Sequence, residues 1–432
     1  MSSLELTNGL LDFVRKSPTP YHAAQSMATL LSVEGFKQLN EMERWNLTPG
    51  GRYFVVRGGA SVLAFIVGTE AVEESGIRII GAHTDSPCLK VKPLPEIQSK
   101  GYAQLGVEVY GGALLNPWFD RDLSIAGRIS YLSTSGELKT ALIDFENAIA
   151  SIPSLAIHLD REANNSRRVN PQTDMNAILH QADEPKSFRA LLLDVLDDKN
   201  AKEVLDFNLS FYDTQPPAVL GLENDFIASA RLDNLLSCYL GVRALIDAGT
   251  NHTSVLICND HEEVGSRSDI GAQGPLLDEV IERLTVGGES RQITLRRSLM
   301  FSVDNAHGVH PNYVNKHDDK HGPIINKGPV IKFDANQSYA TSSATAALVR
   351  WLASSPSSLP LQTYVTRADT RCGSTIGPIT AAGIGITTVD IGVPTFAMHS
   401  IREFAGVIDL VHMNTLLNRF LTVKNLPYCS NL

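Results

Sequence analysis

Imidazole and carboxylate side chains stand together in this sequence at His83-Thr84-Asp85 and at Asp260-His261-Glu262-Glu263, and singly at Asp233, Asp304 and His399. Imidazole nitrogens and carboxylate oxygens are the donors that zinc accepts, and two zinc ions a few Å apart need a carboxylate to bridge them. Asp233, a short carboxylate at the mouth of a predicted helix, suits the bridge. His83 and Asp304 then complete one metal, and Glu263 and His399 the other. Asp85 can accept the second ring N–H of His83 and fix its tautomer. Glu262 is left over as a carboxylate beside the metals, placed to act as general base on a water molecule.

Taken one at a time, each residue has a plainer explanation. His-x-Asp also occurs in surface turns, and Glu-Glu is an ordinary solvated pair. Asp233 could cap a helix, His399 could be a satisfied core histidine, and Asp304 a turn former. Rival motifs are absent. Gly265 stands where an HExxH site needs its second histidine, Thr375 occupies the centre of Gly373–377 where GxSxG needs serine, and Gly383-Ile384-Gly385 lacks a glycine at 388. Cys88 and Cys372 have no paired base nearby in sequence and read as structural.

Position along the chain is what joins the set. Buried-looking strands are predicted over 77–82, 254–259, 299–303 and 385–389, with helices near 232–248, 274–284, 343–354 and 409–423. Such alternation predicts an α/β sheet covered on both faces. His83, Asp260–Glu263 and Asp304 then fall just past strand ends, His399 follows the last strand through Pro394, and Asp233 opens a helix. In an open α/β sheet, the carboxyl ends of strands border one crevice. Upstream, Thr19-Pro20 predicts the start of a helix with Thr19 as cap and Gly35 at its close, followed by strands at 52–56 and 61–67 about the Gly58-Gly59 turn.

Between Pro93 and Gly221 the character changes. Pro93 and Pro95 predict a break, and short strands follow at 107–110, 125–132, 138–144 and 207–212, with a hairpin turn at 133–136 and a helical, charge-rich stretch over 188–205. This predicts a β-rich domain at 93–221 inserted between two parts of the larger domain, 1–92 and 222–432.

A chain of 432 residues with 43% hydrophobic and 19% charged residues has the composition of a globular protein with a large core. The net charge of −10 without a basic cluster argues against nucleic acid as a partner. No signal-peptide pattern opens the sequence and no apolar run reaches membrane-spanning length, so neither secretion nor a membrane partner is expected. Five scattered cysteines (Cys88, Cys238, Cys258, Cys372, Cys429) without a CxxC pair predict free thiols and a cytoplasmic location.

The strings GAHTDSPCLKVKP, IPSLAIHLDR, ARLDNL, NDHEEVGSRSDIGAQG, SVDNAHGVHPNY, NKGPVIK, CGSTIGPITA and AMHSIRE resemble the M18 metalloaminopeptidases, the aspartyl aminopeptidase and aminopeptidase I group. The likeness runs in order from Ser17 to Glu403. It implies a two-zinc exopeptidase domain with a mixed sheet flanked by helices, interrupted by a β-rich dimerisation domain, and self-association to dimers and a tetrahedral dodecamer. Matched motif by motif, it puts the metal ligands on His83, Asp233, Glu263, Asp304 and His399 and the general base on Glu262. The resemblance alone implies three further roles. His158 would enter a neighbouring subunit's active site to stabilise an oxyanion, and Lys332 and Tyr339 would meet the side chain of an N-terminal Asp or Glu in a peptide substrate. Ser154 and Arg371 depart from the common family pattern. Release of neutral apolar N-terminal residues, a related two-zinc carboxypeptidase or deacylase, and a non-catalytic scaffold are the alternatives; Co2+ and Mn2+ would suit the same donors as Zn2+.

Overall fold

A computed structural model of the protein describes residues 2–181 and 187–427; Cys429 lies outside them. Cys88, Cys238, Cys258 and Cys372 are free thiols. The chain forms two compact units, one made of residues up to Asp85, 217–398 and those from Glu403 on, the other of Ser86–Pro216 with His399–Arg402.

The first unit is built on a nine-stranded mixed sheet. At its centre Thr253–Asn259, Ile77–His83, Leu299–Val303 and Thr387–Gly392 lie side by side and parallel. These strands are apolar along almost their whole length because helices cover both faces. Successive side chains go to opposite faces. Ile80, Leu256 and Phe301 pack with Leu240 of Leu232–Ile246, Val349 of Ser343–Ser354 and Leu417 of Val407–Thr422. Their neighbours Ile79, Ile257 and Met300 pack with Val280 and Ile281 of Leu276–Leu284 and with Ile376 of Ile376–Ile384. Full burial of each such side chain contributes roughly 1.5–3 kcal/mol. A smaller five-stranded sheet, which includes Phe226–Ser229, Pro394–Phe396 and Glu403–Gly406, completes the unit.

Thr19 does sit at the N-cap of Pro20–Val33, but its hydroxyl engages His22 Nδ1 at 2.8 Å and makes no cap hydrogen bond. The last central strand begins two residues later than expected, because Gly385 ends the preceding helix in a left-handed conformation (φ 82°). The helix Ser3–Arg15, closed at its start by a Ser2/Glu5 capping box, was not expected.

The second unit is a six-stranded antiparallel sheet whose long strands are Cys88–Ser99, Tyr102–Tyr110, Leu123–Ser133 and Ala201–Asp213. Pro93 and Pro95 do not break the first of these. The pairing with Tyr102–Tyr110 skips a register step between Val91 and Glu96, and the two prolines fall in that irregular stretch, where no ladder N–H is required of them. The expected helical stretch at 188–205 is a helix only over Phe188–Val195. The Asp198 carboxylate accepts the Asn200 N–H and turns the chain, and from Ala201 it pairs with Leu123–Ser133. Leu89, Leu105, Ile125, Ile129, Leu209 and Phe211 form this unit's core. No helix among the described residues is long and apolar enough to cross a membrane.

Candidate metal centre

Because Ile77–His83, Thr253–Asn259 and Leu299–Val303 run parallel with aligned register, His83, Asp260 and Asp304 emerge at the same edge of the sheet. Cys238, on the adjacent helix, donates its thiol hydrogen to the His83 carbonyl at 3.0 Å and holds the strand end. Asp233 does not cap Leu232–Ile246. The N-cap is Arg231, left-handed at φ 60°, and Asp233 itself has non-helical torsions (φ −84°, ψ 105°). Its N–H donates to Glu403 Oε2 at 2.9 Å, and the next residue, Asn234, donates through Nδ2 to the Val303 carbonyl at 2.8 Å. These bonds tie the helix start to the end of the central strand and turn the Asp233 carboxylate toward His83.

The donor atoms converge on the His83 ring. Nε2 lies 3.6 Å from Asp233 Oδ1, 3.5 Å from Asp304 Oδ1 and 3.9 Å from Glu262 Oε2. On the other side of the ring, Nδ1 is 3.1 Å from the Asp85 carbonyl and 3.3 Å from Asp85 Oδ1. A proton held at Nδ1 leaves Nε2 as the ligating nitrogen. Asp85 also accepts the N–H groups of Glu262 through Oδ1 and of Glu263 through Oδ2, both at 3.1 Å. His261, left-handed at φ 65°, turns the chain so that Glu262–Val264 forms one 3-10 turn that displays both glutamates.

His83, Asp233 and Asp304 offer donor atoms within 4.8 Å of one another, and so do His83, Glu262 and Glu263. Nitrogen and carboxylate oxygen donors of this kind, buried at His83 and Asp233 and half-buried at Asp304, Glu262 and Glu263, fit zinc. The electrostatics agree. Burial pushes the Glu262 carboxyl up to about 7, against the pull of His83, and Asp304, Asp233 and Asp85 push the same way. Burial and then Asp233 raise Glu263. Burial disfavours a charged His83, yet Glu262 and hydrogen bonds to Asp233, Asp304 and Asp85 carry its pKa well above the ordinary value. So many buried carboxylates in one place call for a compensating cation.

Lys332 is 1% exposed on the strand Val330–Phe333. Its ammonium donates to the Asn305 carbonyl at 3.1 Å, lies 3.4 Å from Asp304 Oδ2, and sits 5.0 Å from the centre of the Tyr339 ring. Tyr339 is buried, and burial followed by Cys372 drives its phenol pKa upward. The two residues therefore adjoin Asp304. His399 is in the loop between Pro394–Phe396 and Glu403–Gly406, within the short segment that belongs to the second unit. There its Nδ1 is 3.3 Å from the Gly112 carbonyl, and its own carbonyl accepts the Leu114 N–H. His158 stands exposed in a turn of the second unit.

Glu403, Asn305 and Asp390 escaped the sequence reading. Asp390 is fully buried, accepts the Ala340 N–H and the Thr375 hydroxyl, and lies close enough to Lys332 for that cation to oppose the effect of burial. Only the apolar setting of a lone acid, as in TTVDIG, could have drawn notice to it.

The sequence matches the family described as aminopeptidase I zinc metalloprotease (M18) over residues 13–421. A probable M18 family aminopeptidase 2 of Stutzerimonas stutzeri (strain A1501) is 56% identical over 428 residues, 98% of this chain and 99% of that protein. The corresponding protein of Pseudomonas putida (strain GB-1) is 55% identical over 427 residues, with the same coverage. Among solved structures, Ape4 in a complex with Nbr1 superposes with a TM-score of 0.92 at 36% identity, covering 97% of this chain and 86% of that one. The S. cerevisiae mApe1 dodecamer gives 0.84 at 29% identity, covering 96% of each chain. An M18 aminopeptidase from Thermotoga maritima, 20% identical with a TM-score of 0.85, shares the fold. With its zinc-type donors gathered at the strand ends and a family match running nearly end to end, the chain belongs to the M18 family of zinc metalloaminopeptidases.

Proposed function

We propose that the protein removes N-terminal residues, preferentially Asp or Glu, from peptides, using two metal ions per subunit. The observation that supports the two-metal reading is the place of Asp233, which groups with His83 and Asp304 and is also the neighbouring charge that acts most strongly on Glu263, with Glu262 3.9 Å from His83 Nε2. Asp233 would bridge, with His83 and Asp304 completing one site and Glu263 and His399 the other. The His399 loop is tethered at both ends to paired strands, Thr395 with Ala405 and Phe396 with Phe404, and Glu403 next to it holds Asp233. A hydrogen bond at Nδ1 would orient the His399 ring as Asp85 orients His83.

Zinc bound here would polarise the scissile carbonyl and make a water molecule acidic enough to be activated near neutral pH. Glu262 takes the proton from that water and returns it to the departing amine, a task for which a carboxyl tuned toward 7 is suited. Asp85 holds Glu262 in position through its backbone and keeps the His83 tautomer. The buried ammonium of Lys332 beside Tyr339 favours a substrate with an acidic first side chain, because an unmatched charge in either partner is costly.

Self-association belongs to the same reading. Around His158 the side chains of Leu155, Ile157 and Leu159 are 57%, 47% and 74% exposed, an apolar run that calls for a protein partner. The S. cerevisiae relative is a dodecamer. We place this turn against a second copy of the chain, with His158 delivered to that copy's substrate as an oxyanion donor.

Hydrolysis of Asp-, Glu- and Leu-arylamides by zinc-loaded protein tests the proposal, run beside N-acetylated versions. Cleavage of the free acidic substrates and rejection of the blocked ones is expected. Equal cleavage of blocked substrates would turn the assignment toward a deacylase.

A further inference from the structure

The strands that end at the metal centre begin at a cavity of about 590 Å³. Arg78, Leu299 and Thr387 line it, and they are register partners at the starts of three adjacent parallel strands. Cations reach it from three segments. Arg78 rises from the sheet, Arg296 and Arg297 come from the last turn of Gly288–Arg297, and Lys424 follows the end of Val407–Thr422.

Helix capping accounts for part of this charge. Arg78 donates through one terminal nitrogen to the carbonyls of Phe420 and Leu421 at 3.1 Å, and through the other to that of Lys424 at 3.3 Å. Arg297 donates to the carbonyls of Glu73 and Glu74. Positive charge in the last turn of a helix also favours its dipole. Capping leaves a remainder. Arg78 is only 3% exposed, its Nε has no hydrogen-bond partner, and burial pushes its pKa down to about 10. Among the described residues none of the four cations lies within 4.0 Å of a carboxylate oxygen, although Glu70 attracts Arg78 from farther away, and the side chains of Arg296 and Lys424 have no hydrogen bond. Two carboxylates among the described residues line the cavity. Glu70 is 3.2 Å from His252 Nδ1, and Glu74 is exposed on the rim.

Four cations against two carboxylates, in a protein of net charge −10, make a local positive field. Leu299, Leu348 and Leu426 give the wall an apolar side. The volume is that of a small-molecule site. We infer that this cavity binds a small organic anion, a phosphate or carboxylate carried on an apolar body, at the end of the sheet opposite the metal centre. Binding at the strand starts does not depend on which peptides the metal centre cleaves.

Calorimetric titration of the zinc-loaded, full-length protein tests this in roughly 0.15 M salt, where weak surface attraction is screened. Phenyl phosphate and benzoate are the anionic probes and benzyl alcohol the neutral one. At least one anion is expected to bind, and the pair tells a phosphate reader from a carboxylate reader. The double variant Arg296→Glu, Lys424→Glu alters two exposed positions, so it should fold and cleave arylamides at the wild-type rate without the probe. Its affinity for the anion is expected to fall at least about tenfold, as two charge-assisted contacts are reversed. The inference is overturned if neither anion binds by about 10 mM, a free energy below roughly 3 kcal/mol. It is equally overturned if the variant binds as well as wild type, which would place the probe at the metals, or if benzyl alcohol binds as tightly as the anions.

Discussion

Asp85 Oδ1 accepts the backbone N–H of Glu262 at 3.1 Å while lying 3.3 Å from His83 Nδ1. One fully buried carboxylate thus sets both the ring nitrogen that can ligate and the position of the group proposed as base. Two functions that are far apart in sequence share one support, and the consequences of changing it differ from those of changing Glu262 itself.

Replacing Glu262 by Gln keeps the side-chain shape and removes the proton acceptor. The expected result is a drop in kcat of about 10²–10⁴, with zinc content per chain unchanged by elemental analysis. Wild-type kcat in the variant would remove Glu262 from proton transfer.

Asp85→Asn should act through the metals. An amide cannot accept the His83 ring proton and both N–H groups of Glu262 and Glu263 as a carboxylate does. Zinc affinity is expected to fall about 10–100-fold, measured by competition with a calibrated chelator. Activity restored by excess zinc would distinguish this from loss of the base.

Lys332→Met tests substrate choice. If its ammonium meets the acidic side chain, kcat/KM for an Asp-arylamide should fall about a hundredfold, or roughly 3 kcal/mol, and that for a Leu-arylamide should fall much less. Equal losses on both substrates would mean that Lys332 acts by steadying Asp304, 3.4 Å away.

Asp409 provides a pH test remote from the metals. Burial pushes its carboxyl up to about 7, although the N–H groups of Asn326 and Gly328 donate to it and oppose the shift. The unfolded chain releases this proton near 3.8. Between those values the folded state holds the extra proton, so the stability this group gives is complete below the lower value and is lost as pH rises through the upper one. Three units correspond to an upper bound of about 4 kcal/mol. Urea unfolding of Asp409→Asn at pH 5 and 7.5 should show a weaker fall in stability with rising pH than wild type. An identical pH dependence would mean that Asp409 titrates normally.

Phe420 stacks on Phe301 with ring centres 4.0 Å apart and planes 4° from parallel, both fully buried between the last helix and the sheet. Phe420→Ala should destabilise the protein by about 3–5 kcal/mol in denaturant unfolding. A loss below about 1 kcal/mol would mean that the surrounding core collapses into the gap.

The sequence determined the central strands and the helices that cover them, because a doubly covered parallel sheet writes itself as short apolar runs alternating with helical periodicity. From that layout alone, the acidic and histidine residues past the strand ends could be assigned to one edge. Local chemistry was also legible where it is short-range, as at Gly58-Gly59, whose φ angles of 61° and 75° are those of a tight hairpin turn. Tertiary structure decided what no window of sequence contains. Taken alone Asp233 reads as a helix cap, and only its N–H bond to Glu403 and the Asn234 bond to Val303, across 170 and 69 residues, turn it away from its own helix. Pro93 and Pro95 read as a break, and only the neighbouring strand's irregular register allows them inside one. Lys332 is an ordinary lysine until Asp304, Asn305 and Tyr339 close around it. Periodicity and turn chemistry act over a few residues and can be read in order; hydrogen bonds and burial among distant segments exist only once the chain has folded.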